Sequence, residues 1–282
     1  MGAPGGPGSV NGPGQQTISF LSDYGLVDEF VGVVKAVIRS IAPHATVIDI
    51  THDIAPYDVR AGALALARSV QYLPGGVLLA VVDPAVGTGR RLVAVETEED
   101  DRRLVHVGPD NGLLASAVAM SGGAQRAVSL TNTDYQFEAP GPTFAGRDVL
   151  GPAAAYLARG VDLAELGESV DPLSLLPGVL GLCRVEEDRV EGEVLWVDRF
   201  GNAQLNVGPE EMEGLGSRIA VHAGHLVRHA VRAHDYAELN PGQLGLVVDS
   251  YGLVAVVLNR RPAAEELQLA AGDRITLEPA EQ

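Results

Sequence analysis

The chain of 282 residues has a single cysteine, Cys183. One thiol excludes an intrachain disulfide and any thiolate metal cluster built from one chain. Its setting, Leu180-Gly181-Leu182-Cys183, reads as a packed core position and not as a nucleophile. Lysine is nearly absent as well: Lys35 stands alone among 20 basic residues, which face 37 acidic ones for a formal net charge of −17. Phosphate backbones require clustered positive charge, so nucleic acid is excluded as a partner, whereas a small-substrate pocket can differ in sign from the surface around it. No apolar run approaches the length of a membrane span. Residues 1–16 are rich in Gly and Pro and have neither the basic nor the apolar segment of a secretory leader. They are expected to form a disordered tail, and the chain is expected to be soluble and cytoplasmic.

Several familiar signatures are missing too. There is no G-x-x-x-x-G-K-[ST] for a phosphate loop, no G-x-G-x-x-G opening a helix after the first strand, and no H-E-x-x-H. The absence of G-x-S-x-G removes the nucleophile elbow of an α/β-hydrolase. His222, His225 and His229 lie close in sequence, but in a region of β texture that spacing shares no face. A solvated loop is the expectation there, and no metal is expected.

Hydrophobic residues make up 46% of the chain, enough for a cored protein of two domains. Residues 17–21 read as a strand, and apolar positions Phe30, Val33, Val34, Val37, Ile38 and Ile41 fall at helical spacing. A second strand over 45–50, a helix over 59–72 and a wholly apolar strand over 77–82 complete a β-α-β-α-β run, which predicts a parallel sheet covered by helices. Strands over 92–96 and 104–107, and helices over 112–120 and 149–159, extend that domain. Beyond Val190 the pattern changes to short apolar runs between Gly-rich turns (191–197, 219–222, 245–248, 253–258), an all-β signature. The expected organisation is an α/β domain over 17–175 with a central, mostly parallel sheet, a linker over 176–189, and a small β-barrel over 190–282.

Polar groups collect where strands end. Asp83 follows the apolar strand and opens Asp83-Pro84-Ala85-Val86-Gly87-Thr88-Gly89-Arg90-Arg91. Proline and two glycines bend this loop so that Asp83 and Arg90 can fold back towards each other, either as a structural ion pair or as part of a site at a strand C-terminus. Four further segments have the same character: Ser22-Asp23-Tyr24-Gly25, Thr143 to Asp148, Asp198-Arg199-Phe200-Gly201-Asn202, and Ser250-Tyr251-Gly252 with Asn259-Arg260. A carboxylate at a strand end suits a ribose diol or an ammonium group, an asparagine can read a purine edge, and Phe200 can stack on it. Taken singly, each is also ordinary turn chemistry.

Taken in order, F-L-S-D-Y-G, V-I-D-I-T-H, P-Y-D-V, V-V-D-P-A-V-G-T-G-R-R, V-G-P-D-N-G-L-L, T-F-A-G-R-D, D-R-F-G-N and S-Y-G…N-R run from Phe20 to Arg260, within a likeness that covers nearly everything from Thr17 to Leu277. The chain thereby resembles the S-adenosylmethionine (SAM) hydroxide adenosyltransferase family, whose relatives include enzymes that make 5′-fluoro- or 5′-chloro-5′-deoxyadenosine. The resemblance implies a homotrimer with sites at subunit interfaces, and SAM as substrate with no cofactor. It also implies the reaction, in which water or hydroxide attacks C5′ to give adenosine and L-methionine. Carried over, Asp23 would hold the ribose hydroxyls and Tyr57 would pack over the sugar. Asp198 would take the methionine ammonium, Asn202 the adenine with Phe200 beside it, and Ser250 the carboxylate, with Tyr251 also among the substrate-binding residues. Backbone near Asn259 and Arg260 would complete the adenine edge. Asp83 and Arg90 match two members of an Asp-Arg-His set that orients the nucleophile.

The third member is absent. Where the hydrolytic pattern reads T-F-H-G-R-D, this chain has Ala145, which neither hydrogen-bonds nor carries a proton. Natural drift and a deliberate His-to-Ala change both account for it. The resemblance therefore implies hydrolysis slowed at Ala145. Two alternatives stand beside it, a chloride-using halogenase and a SAM-binding protein without turnover.

Overall fold

The computed structural model describes residues 17–178 and 181–280. The tail expected over 1–16 lies outside them, as do residues 179 and 180 of the expected linker. By contacts the chain divides into two compact units, Met1–Val179 and Leu180–Gln282.

The first unit is a three-layer α/β domain. Its strands are β1 (Thr17–Ser22), β2 (Thr46–Thr51), β3 (Gly76–Val81), β4 (Leu92–Glu99), β5 (Arg102–Pro109), β6 (Arg126–Ser129) and β7 (Glu168–Val170). They form one sheet in the order β2-β1-β3-β5-β4-β6-β7. The β2-β1-β3-β5 pairings are parallel, and β4, β6 and β7 join by antiparallel pairings. The apolar run at β3 has its explanation in burial on both faces. Val77, Leu79 and Val81 meet Val31, Val34 and Ile38 of α1 (Phe30–Ile41) and the alanines of α4 (Gly151–Ala158). Leu78, Ala80 and Val82 meet Leu66 of α2 (Val59–Ser69) and Ala117 and Val118 of α3 (Ala115–Met120). β2 is an edge strand, which is why Ile48 remains 39% exposed.

The chain leaves β1 to one side for β2, then crosses back to the other side for β3. The strand order therefore reverses at β1, the point where open α/β sheets place ligands beyond their strand C-termini. Asp23 follows β1 and Asp83 follows β3 there, tied by a hydrogen bond from the Asp23 amide to the Val81 carbonyl (3.2 Å). The helix expected over 149–159 starts earlier, as a π-helical turn over Gly146–Leu150 that runs into α4. Single π-turns of this kind recur at functional sites.

The second unit is a closed barrel. Its strands are β8 (Arg184–Glu186), β9 (Arg189–Val197), β10 (Ala203–Leu205), β11 (Arg218–Ala223), β12 (Leu226–Arg232), β13 (Leu244–Val248), β14 (Val254–Leu258) and β15 (Arg274–Pro279). The order β10-β14-β13-β12-β11-β15-β9 closes through a β9–β10 pairing into a seven-stranded ring, with β8 added on the outside of β9. Closure removes the sheet edges. The lumen is filled by Val194, Leu205, Val221, Leu246, Val256 and their neighbours. A short α5 (Ala263–Leu267) packs against it.

The sequence reading differs from the structure at several places in this unit. β8 falls within the segment read as linker, while β10, β12, β15 and α5 were not anticipated. The histidines expected in a solvated loop lie on and between two paired strands. His222 is on β11, where it meets Glu278 at 3.2 Å, His225 is in the turn, and His229 is on β12. Among the described residues no group of three or more His, Cys, Asp or Glu gathers as a metal site. Cys183 is half-buried against the barrel core, and burial raises its thiol pKa. No helix among the described residues is long and apolar enough to cross a membrane.

Candidate active site

Asp83 and Arg90 do fold back on each other. The guanidinium of Arg90 faces both carboxylate oxygens, Nε on Oδ1 and Nη2 on Oδ2, and Oδ1 also accepts from the Ala85 amide (3.1 Å). The Asp83 side chain is 5% exposed and that of Arg90 13%. Burial lowers the guanidinium pKa, yet arginine remains cationic across the physiological range. The neighbouring arginine is used differently: Arg91 holds Asp110 (2.7 Å) and the Ser174 carbonyl (2.8 Å). Asn111 donates to the Val82 carbonyl (2.9 Å) and fixes the chain immediately before Asp83.

The other wall is aromatic. Tyr24, Phe30 and Phe144 stack edge-on or tilted, with ring centroids 5.1–5.6 Å apart. Burial and the charge of Asp23 push the Tyr24 phenol well above its usual pKa, opposed by a hydrogen bond from the Gly146 amide. Gly146 has no room for a side chain, because a Cβ there would overlap the Tyr24 hydroxyl. Ala145 stands directly before it, half-buried, with helical backbone angles (φ −57°, ψ −30°). Asp23 accepts from the Tyr57 amide (2.9 Å). Tyr57 is 69% exposed and has a positive φ of 70°, a strained conformation for a bulky residue.

In the barrel unit, Asp198 organises its turn. Its carboxylate accepts from the Phe200 amide, the Asn202 amide and Asn202 Nδ2, each at 2.8 Å. Gly201 is obligatory in that turn: φ is +81°, and a Cβ would lie 2.6 Å from Pro262 Cα. Phe200 consequently projects, 78% exposed, over a groove of about 630 Å³ lined by Asp198, Asn202, Tyr236, Arg260 and Arg261 among others. Tyr236 was not singled out in the sequence, yet its hydroxyl lies 3.5 Å from Asn202 Nδ2, and burial together with Asp198 and Asp249 raises its pKa. Ser250 and Tyr251 sit on a second aspartate-built turn, in which Asp249 accepts from the Tyr251 amide (2.8 Å) and the Leu253 amide (3.2 Å). The Asn259 side chain is occupied with the Leu239 carbonyl, and Arg260 has a positive φ of 61°.

Residues 18–167 match the family model described as the SAM hydroxide adenosyltransferase N-terminal domain, and residues 192–276 match its C-terminal domain. The chain belongs to the SAM hydroxide adenosyltransferase family. A Salinispora tropica protein named (R)-S-adenosyl-L-methionine hydrolase is 45% identical over 258 residues, covering 92% of this chain and 96% of that one. A Thermus thermophilus protein of the same name is 38% identical, at 92% and 98% coverage. A fluorinase from Actinoplanes is more distant, at 27% identity over 95% of this chain and 99% of its own. The crystal structure of an uncharacterized conserved protein from Thermotoga maritima superimposes with a TM-score of 0.84 at 33% identity, covering 92% of this chain and 99% of that one.

Several polar residues in this member of the adenosyltransferase family escaped the sequence reading. Asp110 and Asn111 lay in a quoted motif but were given no role. Asp249, directly before the quoted Ser250-Tyr251-Gly252, was not named. Tyr236 lay outside every motif, and nothing in the local sequence marks it.

Proposed function

We propose that the protein hydrolyses SAM at C5′, giving adenosine and L-methionine. The observation that carries this reading is the buried Asp83–Arg90 pair at the point where the strand order reverses, in a chain whose closely similar relatives bear the name (R)-SAM hydrolase. Those names specify the R configuration at sulfur, and we extend that preference to this chain. A sulfonium centre is pyramidal and inverts slowly, so an R epimer forms from the S form, and cleaving it removes a product of inversion.

The chemistry asks little of a proton donor. The C5′–S bond breaks with its electron pair going to sulfur, so methionine leaves as a neutral thioether. A water oxygen forms the new bond to C5′, and one proton is released. Asp83, held by Arg90, orients the water and is the nearest acceptor for that proton. The work is alignment and removal of bulk water around a poor nucleophile. Asp23 takes the ribose hydroxyls, with Tyr57 over the sugar. In the barrel, Asp198 takes the ammonium, and Asn202 offers its carbonyl to the adenine amino group with Phe200 stacked alongside. Ser250 and Tyr251 meet the carboxylate end, and backbone at Asn259 and Arg260 completes the adenine edge. We further propose a cytoplasmic homotrimer.

Ala145 limits this machinery. A general acid–base group typically contributes 10²–10⁴-fold, so turnover here should be slower than in an Ala145→His variant by about that range. A carboxylate at Asp83 repels an incoming halide, which disfavours chloride as nucleophile.

The test is incubation with each sulfonium epimer of SAM, with and without chloride, following nucleosides and methionine by chromatography. Adenosine and methionine in equal amounts, formed faster by the Ala145→His protein, support the reading. Chlorinated nucleoside above background would replace it with halogenation. Binding without product from either protein would make this a SAM-binding protein.

A further inference from the structure

His52 is buried (4% exposed) and bridges two aspects of the substrate-facing turn without any surface of its own towards a ligand. Its Nδ1 lies 2.7 Å from the hydroxyl of Ser22, which is fully buried and immediately precedes Asp23. The His52 carbonyl accepts from the Gly25 amide at 2.8 Å. The turn 22–25 is therefore held at both ends by one residue, with its ring packed edge-on to Phe20 (centroids 4.7 Å apart). On the far side, His52 Nε2 meets Asp49 Oδ1 at 3.1 Å, and Lys35 Nζ meets Asp49 Oδ2 at 2.6 Å. Although burial pushes the Asp49 carboxyl upward, the hydrogen bonds from Lys35 and His52 outweigh it and keep the pKa below its usual value. An anionic Asp49 accepts from Nε2–H, which leaves Nδ1 as the acceptor of the Ser22 hydroxyl proton. The ring orientation and tautomer are thus set from outside the turn, as a carboxylate sets those of a metal-ligating imidazole.

We propose that His52 is a positioning residue for the Asp23 carboxylate, acting through Ser22 and Gly25 in a relay Lys35–Asp49–His52–Ser22. This rests on the assignment of Asp23 to the ribose hydroxyls. One Asp23 oxygen accepts from the Tyr57 amide and the Asp23 amide is tied to Val81, so the direction of the other oxygen depends on the backbone of the turn. A loosened turn loses the two-hydroxyl contact before it loses any other.

The probes are adenosine and 2′,3′-dideoxyadenosine, which lacks the hydroxyls, titrated calorimetrically against the full chain and its variants. The unaltered protein should prefer adenosine, and Asp23→Asn should abolish that preference. His52→Leu should weaken adenosine about tenfold or more, the size of a lost charge-assisted contact, and leave the dideoxy compound unchanged. His52→Asn, whose amide can still reach Ser22, should stay close to the unaltered protein. If His52→Leu does not fold, Ser22→Ala carries the same comparison, since it keeps volume nearly constant. Equal weakening of both nucleosides, or none, overturns the positioning role. A protein that binds adenosine no better than the dideoxy compound before any change overturns the ribose assignment at Asp23, and the inference with it.

Discussion

Arg90 meets Asp83, seven positions before it in the loop between β3 and β4, with two nitrogens on two oxygens. A planar fork can do this, whereas the single ammonium of lysine cannot. Arg90→Lys keeps the charge and is therefore the informative change. It should lower kcat by about 10²-fold through misalignment of Asp83, with KM for SAM little altered because the proposed substrate contacts lie at other residues. A steady-state comparison checks this, and a KM effect with unchanged kcat would place Arg90 in binding instead.

Gly146 and Tyr24 share one space. Gly146→Ala puts a methyl group onto the Tyr24 hydroxyl and should cost about 1–3 kcal/mol of stability, as overpacking does. Removing the hydroxyl in the Gly146→Ala/Tyr24→Phe double variant should recover part of that loss. Denaturant titration of the two singles and the double reads the coupling directly.

Phe200 is 78% exposed, so its removal has little folding consequence. Stacking on a nucleic acid base is worth about 1–3 kcal/mol. Phe200→Ala should raise the Kd for SAM by about tenfold or more with Tm unchanged, measured by calorimetry and thermal unfolding. A fall in Tm with no change in Kd would assign Phe200 to the fold.

His106 is fully buried, with its Nε2 3.0 Å from the Thr97 hydroxyl. Desolvation, helped by the charge of Arg102, lowers its pKa from 6.5 to about 3. In the unfolded chain this histidine takes up a proton as the pH falls through 6.5, while the folded chain holds it neutral down to about 3. Between those values the unfolded state binds the extra proton, so folding stability declines with acidification by up to about 1.4 kcal/mol per pH unit from this group. His106→Gln removes the titration and should flatten stability against pH between about 6 and 4, read by urea unfolding at each pH. An unchanged slope would show that other groups govern acid sensitivity.

The fold was legible wherever burial imposed a period. The continuous apolar strand at Val77–Val82 reports directly on the two faces it buries, and of the helically spaced positions Phe30, Val33, Val34, Val37, Ile38 and Ile41, Val34 and Ile38 are fully buried, with Val31 from outside that set beside them. The strands that escaped notice are short or polar-faced. β10 has three residues, and β12 reads Leu226-Val227-Arg228-His229-Ala230-Val231-Arg232, with a half-exposed surface that reads as loop. The π-turn at Gly146, which lies against the Tyr24 hydroxyl, has no signature in propensity. Asp83 and Arg90 were legible because a bent loop closes locally. Tyr236 was not, since its approach to Asp198 and Asp249 is made by barrel closure across distant parts of the sequence.

The most direct measurement is a single-turnover reaction with SAM in ¹⁸O-enriched water, run on this protein and on Ala145→His, with the adenosine product analysed by mass spectrometry. Attack at C5′ by water places one solvent oxygen in the 5′-hydroxyl of adenosine, so labelled adenosine should appear from both, and faster from Ala145→His. Unlabelled adenosine, or no adenosine from the histidine-bearing form, would contradict hydrolysis at C5′.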